Sequence, residues 1–473
     1  MKIIENIYNK CPIIIQNSLV SLYGLELQIM RHGKIFGNIC KEIRPHLTWD
    51  IGEIEEYQIR ELKKIIHTAV NYTDYYGELF KRTKLSVSDI KTLDDLEKIP
   101  ILNKEEIRKN PTRFINKKYK ISKLYKVYTT GTTGTPLEIY CDHTVRKANY
   151  AFYQRFLEMG GIDYKKKRIT IGGRVIVPHG QNRPPFWRYS FFQKNLLFSS
   201  YHIERRNILA FVHKMKDFEP HYIDAYPSSL FALANYINEL GINCLNITDG
   251  ITTSAETLYS EQRDLIERTF GTKILDQYGA AEMCVFIGQC KNGSYHIHPD
   301  FAIVEFVNTD GMKAEPGEKA EIICTGFINH IMPLIRYRIG DEGVLSKDKC
   351  TCGCNFPVLE KIEGRSDDVI ITPDGKKIGR LSPVLKGFPV KEAQYIQDEI
   401  ESIRVIIVKA EGFKQKDESE IKRELAKRVG TKIKINVEYT EKIERGPGGK
   451  YKNVISRINK KNNVYAKRIK NDD

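Results

Sequence analysis

No stretch of this 473-residue sequence approaches the ~20 consecutive apolar residues that a membrane span needs, so no transmembrane helix is expected. The opening MKIIENIYNKCPIIIQNSLV lacks a long apolar run ending in a small-residue cleavage site. No export signal is therefore expected, and the cytoplasm is the expected compartment. The ten cysteines are not evenly spaced and several cluster late in the chain. That excludes a secretory disulfide framework and leaves metal binding or core packing as their use. No internal repeat is visible, and no RNA-module signature with interleaved aromatics appears.

What is present is ordinary for a globular protein: 41% hydrophobic and 29% charged residues, which excludes wholesale disorder. The length exceeds what one core normally serves, so a large domain with a smaller one is expected. Lys and Arg number 75 against 60 Asp and Glu, a net +15. The excess is spread over most of the chain; the segment from Glu441 to Asp473 holds ten basic against four acidic residues, or +6, leaving +9 elsewhere. A solvated basic face that also attracts nucleotide phosphates accounts for this without a nucleic-acid partner.

Residues 1–98 read as helical. From Leu124 the pattern alternates: strands at Leu124–Tyr128 and Leu137–Cys141, an amphipathic helix stopping at Gly160-Gly161, and helices near 206–218 and 228–240. A further helix is predicted from Ser254 to Gly271, then strands at Lys273–Asp276, Ala302–Val307 and Ala320–Cys324. Such alternation predicts an α/β domain. Beyond Gly364 a strand–helix–strand unit (403–409, 418–428, 432–438) predicts a compact α+β appendage. The expected boundaries are 1–364 and 365–473, with Gly364-Arg365-Ser366-Asp367-Asp368 as the linker.

Four segments carry chemistry. Tyr128-Thr129-Thr130-Gly131-Thr132-Thr133-Gly134-Thr135-Pro136 offers hydroxyls and backbone N–H groups to phosphate oxygens, though a Thr-rich surface hairpin would look alike. It is not a Walker loop, because no Gly-Lys-Ser/Thr ending follows. Asp276-Gln277-Tyr278-Gly279-Ala280-Ala281-Glu282 sets an aromatic face beside a turn and a carboxylate able to hold Mg²⁺. In Pro333-Leu334-Ile335-Arg336-Tyr337-Arg338-Ile339-Gly340-Asp341 the carboxylate suits ribose hydroxyls, unless Arg336 or Arg338 takes it as a salt bridge. Gly446-Pro447-Gly448-Gly449-Lys450 presents a lysine on a flexible segment.

In this order the segments resemble the adenylate-forming superfamily of acyl-CoA synthetases, and more closely its phenylacetate–CoA ligase branch and the capsular polysaccharide biosynthesis ligase-like subgroup. The resemblance extends to about Ile458. It implies a large multi-sheet adenylation domain, a small mobile C-terminal domain rotating at Asp367-Asp368, and a carboxylic acid and ATP as substrates. By position, Thr129, Thr130, Gly131, Thr132, Thr133 and Gly134 would hold the β- and γ-phosphates. Ser254, Ala255 and Glu256 would line the adenine, with Tyr278 stacked on it beside Gly279. Glu282 would coordinate Mg²⁺, Asp341 would bind the ribose, Arg365 would reach the nucleotide, and Lys450 would bridge carboxylate and α-phosphate. The sequence departs from the pattern in its phosphate loop, where Thr-Thr replaces the commoner Ser-Gly or Ser-Ser. The implied acceptor is CoA, or an amine or hydroxyl on a sugar. The stretch Pro373-Asp374-Gly375-Lys376-Lys377-Ile378-Gly379 and the region Gln394-Tyr395-Ile396-Gln397 look like the capsule-associated subgroup. A homodimer is common in this branch.

Cys290 and His296 flank a Lys-Asn-Gly turn, and Cys350, Cys352 and Cys354 lie together further on in Lys-Cys-Thr-Cys-Gly-Cys, the donors tetrahedral zinc takes. The family pattern matches Cys290, His296, Cys350 and Cys352; His298 and Cys354 compete for places. A structural Zn²⁺ is expected. The acyl pocket is expected within Ile171–Phe192 and Asp224–Ser229, where Phe186, Trp187 and Tyr226 suit an aromatic lining or an ordinary core, and His179 and His202 a substrate contact or a structural role. A competing reading is a non-catalytic zinc protein with a basic nucleic-acid-binding surface; it has no use for Glu282, Asp341 and Lys450 in this order.

Overall fold

The computed structural model describes residues 7–128, 137–178, 180–256, 258, 260–363, 370–378, 381–385, 387–409, 412–441, 443 and 454–458. The chain forms two compact units: Met1–Val127 with Ile139–Arg365, and Tyr128–Glu138 with Ser366–Asp473.

The first unit opens with helices α1 (Ile13–Arg31), α2 (Lys34–Ile43), α3 (Ile51–Tyr72), α4 (Asp74–Thr83) and the short α5 (Lys104–Lys109). Asp50 starts α3 with a capping box: its Oδ1 accepts from Glu53 N, and Glu53 Oε2 accepts from Asp50 N, both at 2.9 Å. Helix α1 tempers the sequence expectation about membrane spans. At 19 residues and a mean hydropathy of 1.2 it is long and apolar enough to cross a bilayer. Here it docks on a strand through polar bonds. Tyr189 N donates to Asn17 Oδ1 (3.0 Å), Phe191 N donates to Ser21 Oγ (3.0 Å), and buried Arg188 donates from Nε to Gln16 Oε1 (2.5 Å).

A ribbon of β1 (Tyr125–Tyr128) and β2 (Glu138–Cys141) precedes α6 (His143–Met159). Then come β3 (Arg168–Gly172), β4 (Trp187–Ser190), β5 (Asn195–Ser199), α7 (Ile208–Phe218), β6 (Tyr222–Ala225), α8 (Pro227–Glu239), β7 (Gly250–Ser254), α9 (Ser260–Phe270) and β8 (Ile274–Gly279). The run ends with β9 (Phe286–Gln289), β10 (Tyr295–Ile297), β11 (Ala302–Val307), β12 (Lys319–Gly326), β13 (Tyr337–Leu345) and β14 (Val358–Glu363). All but the ribbon join one twelve-stranded sheet, ordered β11-β12-β13-β14-β10-β9-β8-β7-β6-β3-β5-β4. The α/β expectation holds. Strands β5, β3, β6, β7 and β8 are parallel neighbours and the rest pair antiparallel. One face of the parallel half carries Ile169, Ile171, Ile223, Ile251 and Ile274, packed with Phe211, Leu233, Ile237 and Phe270 from α7–α9. Phe186 belongs to that core and Trp187 packs against it.

The predicted helix at 254–271 is shorter than expected. Ser254 ends β7, and Ala255 takes φ 77°, a left-handed conformation that costs a non-glycine residue about 1–2 kcal/mol and breaks any helix there. Helix α9 starts only at Ser260.

The second unit holds β15 (Ile370–Ile371), β16 (Lys377–Ile378), β17 (Val390–Glu399), β18 (Ser402–Lys409), α10 (Gln415–Val429), β19 (Lys434–Tyr439) and β20 (Val454–Ser456). Its sheet is ordered β19-β18-β17-β20, and Ile421, Leu425 and Val429 of α10 share a core with Ile403, Val405 and Ile407. The side chain of buried Gln397 accepts from Ile371 N (2.8 Å) and donates to Ile371 O (2.5 Å), clasping the small β15–β16 hairpin to β17.

Candidate active site and metal centre

In a sheet of parallel strands, ligands gather beyond the carboxyl ends, where the connections diverge. Ser254 and Gln277 lie in register at those ends on β7 and β8. One residue further along β8, Tyr278 donates its hydroxyl to Asp341 Oδ2 on β13 at 2.7 Å, across 63 residues of sequence. Burial, and then the Asp341 carboxylate, push the Tyr278 phenol well above its usual range, which keeps it protonated and donating. The aromatic picked for adenine and the carboxylate picked for ribose are thus neighbours. Arg336 and Arg338 do not occupy Asp341 by salt bridges: Arg336 pairs with Glu305 (2.9 Å) and Arg338 with Glu321 (3.0 Å).

Glu282 is only 4% exposed. Its Oε1 accepts from Tyr337 Oη at 2.8 Å and lies 3.5 Å from Lys104 Nζ. Tyr337 lay inside a recognised motif without a role, and Lys104 was missed: an isolated lysine before Glu-Glu on a short helix carries no signal in a chain so rich in lysine. Below the site, Asp276 accepts from Thr253 Oγ1 (2.5 Å) and Tyr295 Oη (2.8 Å), tying β7, β8 and β10 together. Burial pushes the Asp276 carboxyl up. Thr129, Thr130, Gly131, Thr132, Thr133, Gly134, Arg365 and Lys450 lie outside the described residues, as does His179. His202 faces inward, paired with Ser199 Oγ (2.7 Å) and stacked on Phe186.

The ligand atoms of Cys290, His296, Cys350 and Cys352 all lie within 4.8 Å of one another. His296 Nδ1 donates to the Phe356 carbonyl (3.2 Å), which fixes the tautomer and turns the Nε2 lone pair toward Cys352 Sγ, 3.4 Å away. His298 points elsewhere. Its Nδ1 accepts from Arg155 Nη2 (2.6 Å), and burial, then the Arg155 charge, hold it well below the usual imidazole range. Cys354 is likewise not one of the four. Three thiols and one imidazole nitrogen, oriented through a carbonyl, fit a closed tetrahedral zinc site.

Residues 370–457 match the family model for the CapK C-terminal domain. Protein CapK of Staphylococcus aureus is 30% identical over 465 residues, covering 96% of this chain and 99% of that one. A phenylacetate-coenzyme A ligase of Thermus thermophilus is 23% identical over 471 residues, covering 85% and 96%. Among solved structures, the chain resembles 2-hydroxyisobutyryl-CoA ligase in complex with 2-HIB-AMP and CoA, with a TM-score of 0.62 at 16% identity over 90% of this chain and 94% of that one. At that identity the likeness speaks to the fold. The full-length match to CapK, on a fold shared with an acyl-CoA ligase, places this chain in the CapK family, within the phenylacetate–CoA ligase-like branch of the adenylate-forming, AMP-forming ligases.

Proposed function

We propose that this chain activates a carboxylic acid with ATP and hands the acyl group to a nucleophile. A carboxylate oxygen attacks the α-phosphorus of ATP, the bond to pyrophosphate breaks, and acyl-AMP forms. An acceptor then attacks the acyl carbon and AMP leaves. The observation that supports this reading is the Tyr278–Asp341 hydrogen bond, which sets an aromatic ring at the carboxyl end of β8 beside a carboxylate of β13. Ser254, Ala255 and Glu256 are assigned to the adenine edge. Thr129 to Gly134 are assigned to the phosphates, with Arg365 near the nucleotide and Lys450 at the reacting carboxylate. Glu282 is assigned to a magnesium ion, which would screen the phosphate charge.

The relatives' names offer CoA as the acceptor, and the kinship with CapK favours an amine or hydroxyl on a sugar of a surface polysaccharide. The reaction belongs in the cytoplasm, where ATP is made. The test is a panel of carboxylic acids scored for AMP and pyrophosphate separately, then for acyl transfer to CoA and to amino sugars. Pyrophosphate with one acid supports the reading. A protein that binds ATP yet releases neither product with any aromatic, aliphatic, amino or sugar acid refutes it.

We assign a structural zinc ion to Cys290, His296, Cys350 and Cys352, where four protein ligands leave no open position. Protein purified without chelator is expected to carry about one zinc per chain, and Cys290→Ser should lose the metal and lower the melting temperature. Metal analysis finding no zinc near stoichiometry ends the assignment.

A further inference from the structure

The sheet face beneath α6 is polar, whereas a parallel sheet covered on both sides is ordinarily apolar on both. Side chains alternate along a strand, so Ile169, Ile171, Ile223 and Ile251 on one face leave Arg168, Thr170, Asp224 and Thr252 on the other. Tyr153 of α6 reaches Asp224 Oδ1 at 3.4 Å, which fixes this as the α6 side. Arg168, Thr170, Asp224 and Tyr153 all keep part of their surface accessible, and we read them as the walls of a recess.

Arginines converge there from three elements: Arg31 at the end of α1, Arg146 in α6 and Arg168 on β3. The Nε atoms of all three are shielded from solvent and have no hydrogen-bond partner. Arg31 lies over the Tyr150 ring (4.4 Å to its centre), Arg146 is 5.9 Å from the Tyr125 ring, and Arg168 Nη1 donates to Tyr222 Oη (3.1 Å). Burial first, and then the charges of Arg174, Arg168 and Arg146, hold Arg31 below the usual arginine range, partly countered by Tyr150. Asp224 is the carboxylate that Arg168 and Arg31 act on, and burial nonetheless pushes its carboxyl up. Tyr222, Asp224 and Tyr153 more than offset burial at Arg168, whereas Arg31 stays below its usual range, and a guanidinium left short of counter-charge is costly to bury unless an anion completes its surroundings.

The candidate nucleotide site lies further along the same strand face. Thr252 and Ser254 share a face of β7 two residues apart, roughly 7 Å, and Asp224 lies in register with Thr252. Arg168 is in register with Tyr222, two residues deeper again.

We propose that this recess receives a second anionic group, carboxylate or phosphate, on the acid being activated, so that the substrate is a short dianionic acid rather than an aryl or alkyl monoacid. The inference rests on the adenylation reading above and deepens it. The test compares binding of glutarate and of valerate, its neutral-ended counterpart, to the full chain by calorimetry, in parallel with acid-dependent pyrophosphate release. Glutarate, or adipate or phthalate in its place, should bind at least about tenfold more tightly than its monoacid counterpart, and Arg31→Gln should reduce that advantage to about twofold. Arg168→Gln should do the same; if it fails to fold, the partly exposed Arg31 at a helix end still decides. Inorganic phosphate should compete with glutarate and not with valerate. Equal affinities, a preference untouched by Arg31→Gln, or failure of all three diacids to bind overturns the inference. So does pyrophosphate release with valerate but with no diacid, an outcome that leaves adenylation standing. Displacement of glutarate by glucose 1-phosphate, without a diacid preference in pyrophosphate release, assigns the anion to the acceptor and overturns the substrate class. Diacid binding that depends on Arg31 but yields no pyrophosphate with any acid counts against adenylation and supports the recess.

Discussion

Lys450→Ala is expected to slow acid-dependent pyrophosphate release about 100- to 1000-fold, while transfer from preformed acyl-AMP to the acceptor is kept. In the adenylation step a carboxylate approaches a phosphate, and both are anions. The charge concentrated between them in the transition state is what a lysine ammonium can stabilise, and one such preorganised group is worth about 3–4 kcal/mol. In the transfer step that phosphate is a leaving group already esterified to the acyl carbon, so the same lysine has no comparable charge to meet. The check is paired: pyrophosphate release from ATP plus acid, and AMP release from synthetic acyl-AMP. Equal loss in both assays, or loss in neither, removes Lys450 from the role.

Arg155→Met is expected to destabilise the first unit by about 3–5 kcal/mol, because it strands a buried charge. Asp300 is 1% exposed and is met by both Arg155 nitrogens, at 2.6 Å and 2.8 Å, and by His46 Nδ1 at 2.6 Å. Arg155 Nη1 also donates to the Ile43 carbonyl (2.7 Å), so one side chain links α6 to the end of α2 and to the loop after β10. Burial alone would raise the Asp300 carboxyl, but Arg155 and the hydrogen bonds outweigh it and hold the group well below the usual carboxylate range. The sign follows from linkage: a depressed carboxylate contributes stability that is complete above an unfolded pKa of about 4 and is lost as pH falls toward the folded value. In Arg155→Met the unpaired carboxyl takes up a proton more readily, so the gap between variant and parent should narrow on acidification. Chemical denaturation across pH 4 to 8 reads this directly. A gap that stays constant, or a loss under about 1 kcal/mol, contradicts the account.

Much of the site was legible because its residues recur in short, punctuated segments. Tyr278, Glu282 and Asp341 each stand beside a glycine turn, and Cys290, His296, Cys350 and Cys352 carry donor chemistry that few other arrangements explain. What they touch was not legible. Lys104 reaches Glu282 across 178 residues, and nothing local distinguishes it from the other lysines. Arg31, Arg146 and Arg168 read only as part of a diffuse charge excess, since their convergence depends on α1 packing against α6. Sequence shows that Phe186 and Trp187 are aromatic but not that they pack with the core of the parallel half of the sheet. The helix drawn from Ser254 failed at Ala255, where the tertiary site imposes a backbone conformation that propensity disfavours.

The docking of α1 also sets a timetable for synthesis. Ser21 and its partner Tyr189 are separated by 168 residues, so at roughly 5–20 residues per second the helix leaves the ribosome on the order of ten to thirty seconds before its strand exists. Throughout that interval Ile14, Leu22 and Ile29, which stay largely exposed even afterwards, share the surface with the face destined for β4. The nascent chain therefore presents an apolar helix with nothing yet to lie on.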